Sequence, residues 1–213
     1  MDIVKIKEKL KNKLPEERFM HCLGTEEKSR ILANKFGADE HKAAIAGLLH
    51  DCAKYMSKEE TYKFIMDKNI PVSLEIMNSP STLHAFAGEY IAFHEYGIKD
   101  PEILKAIRNH TLGDIDMSIL DKITFVADKI EGYTRHAPHF QAIRNHLEIT
   151  NSLDEAILMS YSQTIQALAK KNKYISPGTI KNWNFMLQTT GKIFNYESPV
   201  EIITAQSISK NVN

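Results

Sequence analysis

Apolar residues recur at spacings of three and four along most of this chain, which is the pattern of amphipathic helices. The first instance is the set Ile3, Ile6, Leu10 and Leu14, and similar stretches follow until near Phe194. No segment shows the alternation of β-branched and polar residues between hairpin turns that is typical of β-strands. The sequence therefore predicts an all-α protein.

Residues that favour helix ends divide this pattern into separate helices. Asp39 is a predicted N-cap, and Ser57 with Glu60 forms a capping box before the next apolar stretch. Asp100 followed by Pro101 predicts another helix start. The predicted helices cover about 3–14, 16–37, 39–49, 57–68, 83–96, 100–110, 118–131, 152–172 and 176–194, with turns and a short helix over 69–82.

Composition and charge exclude several classes of protein. Lys plus Arg and Asp plus Glu both number 27, so the chain has no overall positive charge with which to bind nucleic acid or an anionic membrane. Cys22 and Cys52 are too few for a disulfide framework, and no stretch resembles a signal peptide or a transmembrane helix. We expect a cytoplasmic protein that binds neither nucleic acid nor membrane. Its oligomeric state is left open, with a homodimer as one option.

Histidine is the unusual feature of the composition, with nine residues. His50 and Asp51 are adjacent in GLLHDCAK, at the end of an apolar helix where the backbone turns and both side chains can reach one ion. An imidazole nitrogen and a carboxylate oxygen together suit a divalent transition metal. The candidate ligands on other helices are His21, His84, His110 and Asp128. A helical bundle can direct one group inward from each helix, although a single histidine on an apolar face is more often a hydrogen-bonded core residue.

The remaining histidines carry less information. His41 and His94 lie near helix ends and are interpreted as surface residues. His136, His139 and His146 follow the last candidate ligand in a segment that is interpreted as loop-like and basic. Whether any of these three contributes to a metal site is left open.

The order of the motifs resembles a known family. An early His, an adjacent His-Asp pair and a late Asp resemble the HD-domain metal-dependent phosphohydrolases. RFMHCLGT, GLLHDCAK, HAFAGE, IRNHTLGD and ADKIEGYTR together look like the bacterial symmetrical diadenosine-tetraphosphate hydrolases of the YqeK type, over about residues 15–190. The resemblance implies a single HD-type helical bundle over 1–196, with a metal-site core at about 16–131 and additional C-terminal helices. Residues 197–213 are predicted to be a frayed tail.

The resemblance also implies a metal and its ligands. The family's ligands fall on His21, His50, Asp51 and Asp128. Iron is the expected metal, with one or two ions per chain, and manganese or another transition metal is the alternative. His84 and His110 match two further histidines of the family, which hold a second metal or contact the substrate phosphates.

The implied reaction is the symmetrical cleavage of diadenosine tetraphosphate to two ADP by attack of metal-bound hydroxide on phosphorus. Asp51, Lys54 and Asp128 are then the catalytic residues. The substrate is a dinucleoside polyphosphate in this interpretation. Two alternatives stay open: an HD-type phosphohydrolase acting on another nucleotide, and a nucleotide-binding sensor without catalysis.

Several residues near the candidate ligands are expected to bind this substrate. Arg18 and Lys54 each lie three residues from a candidate ligand, which places them on its face if the helix continues. Thr111 and Arg135 are further candidates for phosphate contacts, although Gly132 stands where the family has proline and loosens the turn before Arg135. By resemblance, the nucleoside side of the pocket is lined by Tyr174, Ile175, Ser176, Pro177, Gly178 and Thr179.

Overall fold

The computed structural model describes residues 2–191, and within that range it has eleven α-helices, one 3-10 helix at Pro80–Thr82 and no strand. The α-helices are α1 (Ile3–Lys11), α2 (Glu16–Phe36), α3 (Glu40–Leu49), α4 (Lys58–Asp67), α5 (Leu74–Met77), α6 (Leu83–His94), α7 (Pro101–Asn109), α8 (Ile119–Ile130), α9 (Pro138–Thr150), α10 (Leu153–Lys170) and α11 (Pro177–Thr189). The predicted all-α class is confirmed.

The predicted helix starts are formed by side-chain caps. The Asp39 carboxylate accepts hydrogen bonds from the backbone N–H groups of His41 and Lys42 at 2.8 and 3.0 Å. Ser57 and Glu60 make both bonds of the capping box at the start of α4. Such a cap contributes about 1 kcal/mol, because it satisfies a backbone donor that the first helical turn leaves without a partner.

The segment after α8 differs from its prediction. The loop-like interpretation is wrong, because residues 138–150 form the helix α9. Pro138 occupies its first position, where the missing N–H costs nothing. Ile143 and Leu147 lie four residues apart and are buried, and Asn151 ends the helix in the left-handed conformation with φ of 50°. The sequence shows this four-residue spacing, but the apolar stripe is short and charged residues flank it.

The C-terminal end of the fold is only partly described. The last described helix, α11, ends at Thr189, earlier than the predicted end near Phe194. Phe194 itself, the predicted domain boundary at 196 and the predicted frayed tail over 197–213 lie outside the described residues.

The core centres on α3, which packs against α2, α7 and α8. All residues from Ala43 to Leu49 are buried, so this helix is apolar on every side, as expected for a central helix. Gly47 permits the close approach of α2, because a Cβ there would lie 2.9 Å from the Thr25 carbonyl oxygen. Fully burying a side chain such as Leu48 contributes about 1.5–3 kcal/mol. The same packing directs the C-terminal end of α3 into the interior.

No helix among residues 2–191 is both long and apolar enough to span a membrane.

Candidate metal centre

Six buried polar side chains converge from five helices or their ends. They are His21 in the middle of α2, His50 and Asp51 at the end of α3, His84 in the first turn of α6, His110 at the end of α7 and Asp128 in the last turn of α8. None of them is more than 6 % exposed. The structure thus brings together all six residues that the sequence predicts as metal ligands or as the two further histidines.

The Asp51 carboxylate lies between two pairs of histidines. One oxygen, Oδ2, is 3.8 Å from His21 Nε2 and 3.5 Å from His50 Nε2. The other oxygen, Oδ1, is 3.3 Å from His84 Nε2 and 3.4 Å from His110 Nε2. Asp51 is therefore positioned so that each of its oxygens can serve a different pair.

Asp128 completes the first of these groups. Its Oδ1 lies 2.9 Å from His21 Nε2 and 3.8 Å from His50 Nε2. Three overlapping sets of ligand atoms each lie within 4.8 Å of one another, which is close enough for one ion per set. The sets are His21 with His50 and Asp51, His50 with His110 and Asp128, and Asp51 with His84 and His110.

Hydrogen bonds from the other ring nitrogen orient the imidazoles. Nδ1 of His50, His84 and His110 each lies 2.7–2.9 Å from the carbonyl oxygen three residues earlier in the chain. Since a carbonyl can only accept, each Nδ1 carries the proton and donates it. Each Nε2 then presents a lone pair to the centre of the cluster, which is the tautomer of a metal ligand.

The contact between His84 and His110 favours a bound cation. His84 Nε2 lies 3.1 Å from His110 Nε2, and both are acceptors once their Nδ1 atoms donate. Two facing lone pairs with no proton between them are stabilised by a positive ion. Imidazole nitrogens with carboxylates are ligands of iron, zinc and similar divalent metals, so the residues present fit the metal that the sequence implies.

Glu131 orients the fourth imidazole, that of His21. The sequence pattern did not predict this role. Its buried carboxylate lies 3.2 Å from Nδ1 of His21, across 110 residues of sequence. It also accepts hydrogen bonds from the N–H groups of Tyr133 and Thr134, at 2.5 and 3.0 Å. Gly24, one turn after His21, makes room for it, because a Cβ there would collide with the Glu131 carboxylate. The one sequence signal for this contact was a glycine inside a long helix.

The charges of the cluster follow from these contacts. Burial opposes ionisation, but the surrounding imidazoles of His50, His110 and His84 hold the pKa of Asp51 well below its usual value. Burial likewise opposes ionisation of Asp128, and Lys129, with a hydrogen bond from His21, still lowers its pKa. Two ionised carboxylates can thus balance the charge of a divalent ion.

Burial favours the neutral form of the second pair of imidazoles, His84 and His110. Burial lowers the pKa of His84 to about 4, even though the negative charge of Asp51 opposes this shift. The pKa of His110 is lowered for the same reason. Neutral imidazoles are the form that binds a metal.

Four cations surround the two carboxylates. The Arg18 guanidinium donates to Asp51 at 2.7 Å, and that of Arg135 donates to Asp128 at 2.7 Å. Lys129, which the sequence analysis missed because its position was interpreted only as part of a helix end, lies 2.5 Å from the other Asp128 oxygen. Lys54 is half-buried on the turn after Asp51, its backbone N–H bonded to the Asp51 carbonyl at 2.9 Å, and burial lowers its pKa.

Arg135 is held more firmly than the turn at Gly132 suggests. Its Nε donates to the Asp128 carbonyl at 2.9 Å. Arg144 on α9 bonds the carbonyls of Ile130 and Glu131 at 2.9 and 2.8 Å, and it also bonds the Arg135 carbonyl. Arg144 therefore fixes the loop that carries both Glu131 and Arg135.

The two remaining groups of predicted substrate contacts lie in different places. The Thr111 hydroxyl is 3.2 Å from His84 Nε2 and 2.9 Å from His110 Nε2, so it belongs to the cluster. In the segment 174–179, Ser176 Oγ and the Gly178 N–H both donate to the Glu75 carboxylate at 2.6 Å. The segment's polar contacts are thus with Glu75 on α5, and not with the histidines. Tyr174, Ile175, Pro177 and Thr179 complete it, with Tyr174 50 % exposed and Thr179 buried.

The other histidines lie apart from this cluster in the described part of the chain. His41, His94 and His139 are exposed. Nε2 of His136 donates to the Tyr133 carbonyl at 2.9 Å, and His146 lies 3.2 Å from the carboxylate of Glu155. No possible metal-binding group among residues 2–191 includes any of them. Cys22 and Cys52 are both buried and unpaired.

Comparisons with known proteins agree with this geometry. Residues 18–133 match the HD domain model. The chain is 36% identical over 178 residues to a protein of Bacillus subtilis (strain 168) named bis(5'-nucleosyl)-tetraphosphatase, symmetrical, covering 84% of this chain and 94% of that one. A protein of the same name from Staphylococcus aureus (strain NCTC 8325 / PS 47) is 35% identical over 185 residues, covering 87% and 94%.

A solved structure is also similar. It is described as a predicted HD superfamily hydrolase involved in NAD metabolism from Clostridium acetobutylicum. The TM-score is 0.83 at 33% identity, with 89% of this chain and 98% of that chain covered.

Proposed function

We infer the function on the premise that this chain belongs to the HD-domain family, and within it to the symmetrical bis(5'-nucleosyl)-tetraphosphatases. We propose that it hydrolyses diadenosine tetraphosphate to two molecules of ADP. The observation that carries the proposal is the convergence of four imidazole Nε2 atoms on the carboxylates of Asp51 and Asp128. That arrangement suits a metal-dependent attack of water on a phosphoanhydride.

The metal ligands in this proposal are His21, His50, Asp51 and Asp128, and the metal is iron. A divalent ion bound there polarises a phosphoryl oxygen and lowers the pKa of coordinated water. His84 and His110 either hold a second ion with Asp51 Oδ1 or contact the substrate phosphates. The distances of Asp51 to both pairs support either role.

The chain's cations would bind the phosphates. Lys54 is half-buried beside Asp51 and makes no ion pair within the described residues, which supports a role with an anionic substrate. Arg18 and Arg135 each hold one carboxylate of the cluster, so their remaining N–H donors can bind phosphate oxygens bidentately. Thr111 adds a hydroxyl donor between His84 and His110.

The nucleoside is proposed to bind at the segment 174–179. Support comes from the half-exposed ring of Tyr174, which can stack on a base. Location in the cytoplasm, and the absence of a nucleic-acid or membrane partner, stay predictions.

Chromatography of the products from a panel of nucleotides tests this function, with metal content measured on the same preparation. We expect ADP as the only product from diadenosine tetraphosphate and at least one iron per chain. AMP plus ATP would refute symmetrical cleavage. Turnover of mononucleotides or cyclic nucleotides alone would favour a different HD-type phosphohydrolase. Binding of nucleotide and metal without any product would favour a sensor.

A further inference from the structure

A cleft of about 500 Å³ lies beside the metal centre, between α8, α9 and α10. Its lining includes Lys129, Arg135, Phe140 and Gln163, and it extends along α10 to Lys170. Its volume is in the range of small-molecule pockets, which is about 300–1,000 Å³. Of the residues that the sequence singles out, only Arg135 and His139 line it, and the proposed function leaves the cleft without an occupant.

Two cations link the cleft to the metal centre. Lys129 and Arg135 line it, and they bind the two oxygens of the same carboxylate, Asp128, at 2.5 and 2.7 Å. A molecule that occupies the cleft therefore contacts cations that also contact a proposed metal ligand.

The charge of the cleft favours an anion. Lys129, Arg135 and Lys170 line the cleft, and no carboxylate residue lines it in the described structure. Lys129 and Arg135 share the single carboxylate of Asp128, so a surplus of positive charge remains. The whole chain has a net charge of zero, so this concentration of positive charge is local. Positive charge next to the cluster suits the phosphates that follow the bond to be cleaved.

Further along, the lining suits a nucleoside. Phe140 is half-buried, and its ring centroid lies 5.0 Å from the Arg135 guanidinium and 3.9 Å from the ring of His139. Such an aromatic platform stacks on bases. Gln163 Nε2 donates to the His139 carbonyl at 3.1 Å, which directs its own carbonyl oxygen outward as an acceptor for an exocyclic amine.

We propose that this cleft binds the second nucleoside of the dinucleotide, beyond the bond that is cleaved, while the first binds at the segment 174–179. This inference rests on the proposed function. Lys129 and Arg135 would hold the phosphates of the second half, Phe140 would stack on its base, and Gln163 would accept a hydrogen bond from it. The cleft then distinguishes a dinucleoside polyphosphate from a nucleotide with one nucleoside.

The test compares two substrates, diadenosine tetraphosphate and adenosine 5'-tetraphosphate, which lacks the second nucleoside. The measured quantity is kcat/KM for diadenosine tetraphosphate divided by kcat/KM for adenosine 5'-tetraphosphate. In Phe140→Ala we expect this ratio to fall about tenfold, because one base loses its stacking partner. Phe64→Ala is the matched control, because Phe64 is also a half-buried phenylalanine but lies on α4, outside the cleft. It should leave the ratio unchanged.

A second pair of variants guards against a folding defect in Phe140→Ala. Lys170 and Lys171 are adjacent and exposed at the end of α10, but only Lys170 lines the cleft. Lys170→Glu should lower the ratio about threefold and Lys171→Glu should not change it. An unchanged ratio in both cleft variants, or an equal loss on both substrates, overturns the cleft assignment while the proposed function stands. Failure of the unaltered protein to cleave diadenosine tetraphosphate refutes the proposed function itself.

Discussion

Glu131 offers a sharp test of how the metal centre is built. The substitution Glu131→Gln keeps the volume of this buried side chain but removes its charge and one of its acceptor oxygens. In the structure that carboxylate serves His21 Nδ1, two backbone N–H groups and the Thr134 hydroxyl. A glutamine cannot accept from all of them, and its amide group meets donors. His21 then loses the bond that fixes its ring.

The size of the effect follows from the lost bond. A hydrogen bond to a charged group contributes about 1.5–3 kcal/mol. Partners that orient metal ligands in this way typically change metal affinity by about 10- to 100-fold, which is about 1.4–2.7 kcal/mol. The two estimates agree, so we expect Glu131→Gln to weaken iron binding 10- to 100-fold while the helices remain intact.

Titration of the metal-free protein with ferrous iron against a competing chelator measures this affinity, and circular dichroism monitors the helices. Glu26→Gln is the control. Like Glu131, Glu26 is a nearly buried carboxylate, but it lies on α2 and pairs with Lys7 and Arg30. An unchanged iron affinity in Glu131→Gln would refute the idea that this carboxylate orients His21. An equal loss in Glu26→Gln would point to general destabilisation of α2.

Three further predictions concern the ligands and the position of cleavage. Asp51→Ala should remove iron and activity together and keep the helix content, as metal analysis and circular dichroism will show; stoichiometric iron in this variant would contradict its role as a ligand. His110→Ala should keep about one metal per chain and lose most turnover, whereas complete loss of metal would move His110 into the primary ligand set. Diadenosine pentaphosphate should give ADP and ATP by chromatography, because one end of the substrate is held and the second phosphorus from that end is attacked; AMP as an initial product would contradict this.

The sequence predicted the fold class and the members of the cluster because both depend on local patterns. Caps such as Asp39 and Ser57 act within three residues and determine where their helices begin. What the sequence did not reveal depends on contacts between distant segments. Glu131 has its role only because α8 packs on α2.

The same reason explains the two other omissions. The helix α9 was missed because its buried stripe is short, and the cleft beside it was therefore not foreseen. Lys129 looked like an ordinary cation at a helix end, and its contact with Asp128 depends on the side chain folding back over the end of α8. Charge alone does not distinguish such a residue from one that faces solvent.

The four imidazoles of the metal centre fall into two groups, according to how far along the chain the partner that orients each ring lies. Three rings are oriented by a carbonyl only three residues away, so a peptide that forms the correct local turn already presents Nε2 in the correct tautomer. The ring of His21 instead depends on a residue 110 positions later. Three rings thus depend only on their own helix turn for orientation, whereas the ring of His21 is oriented only where the end of α8 packs against α2.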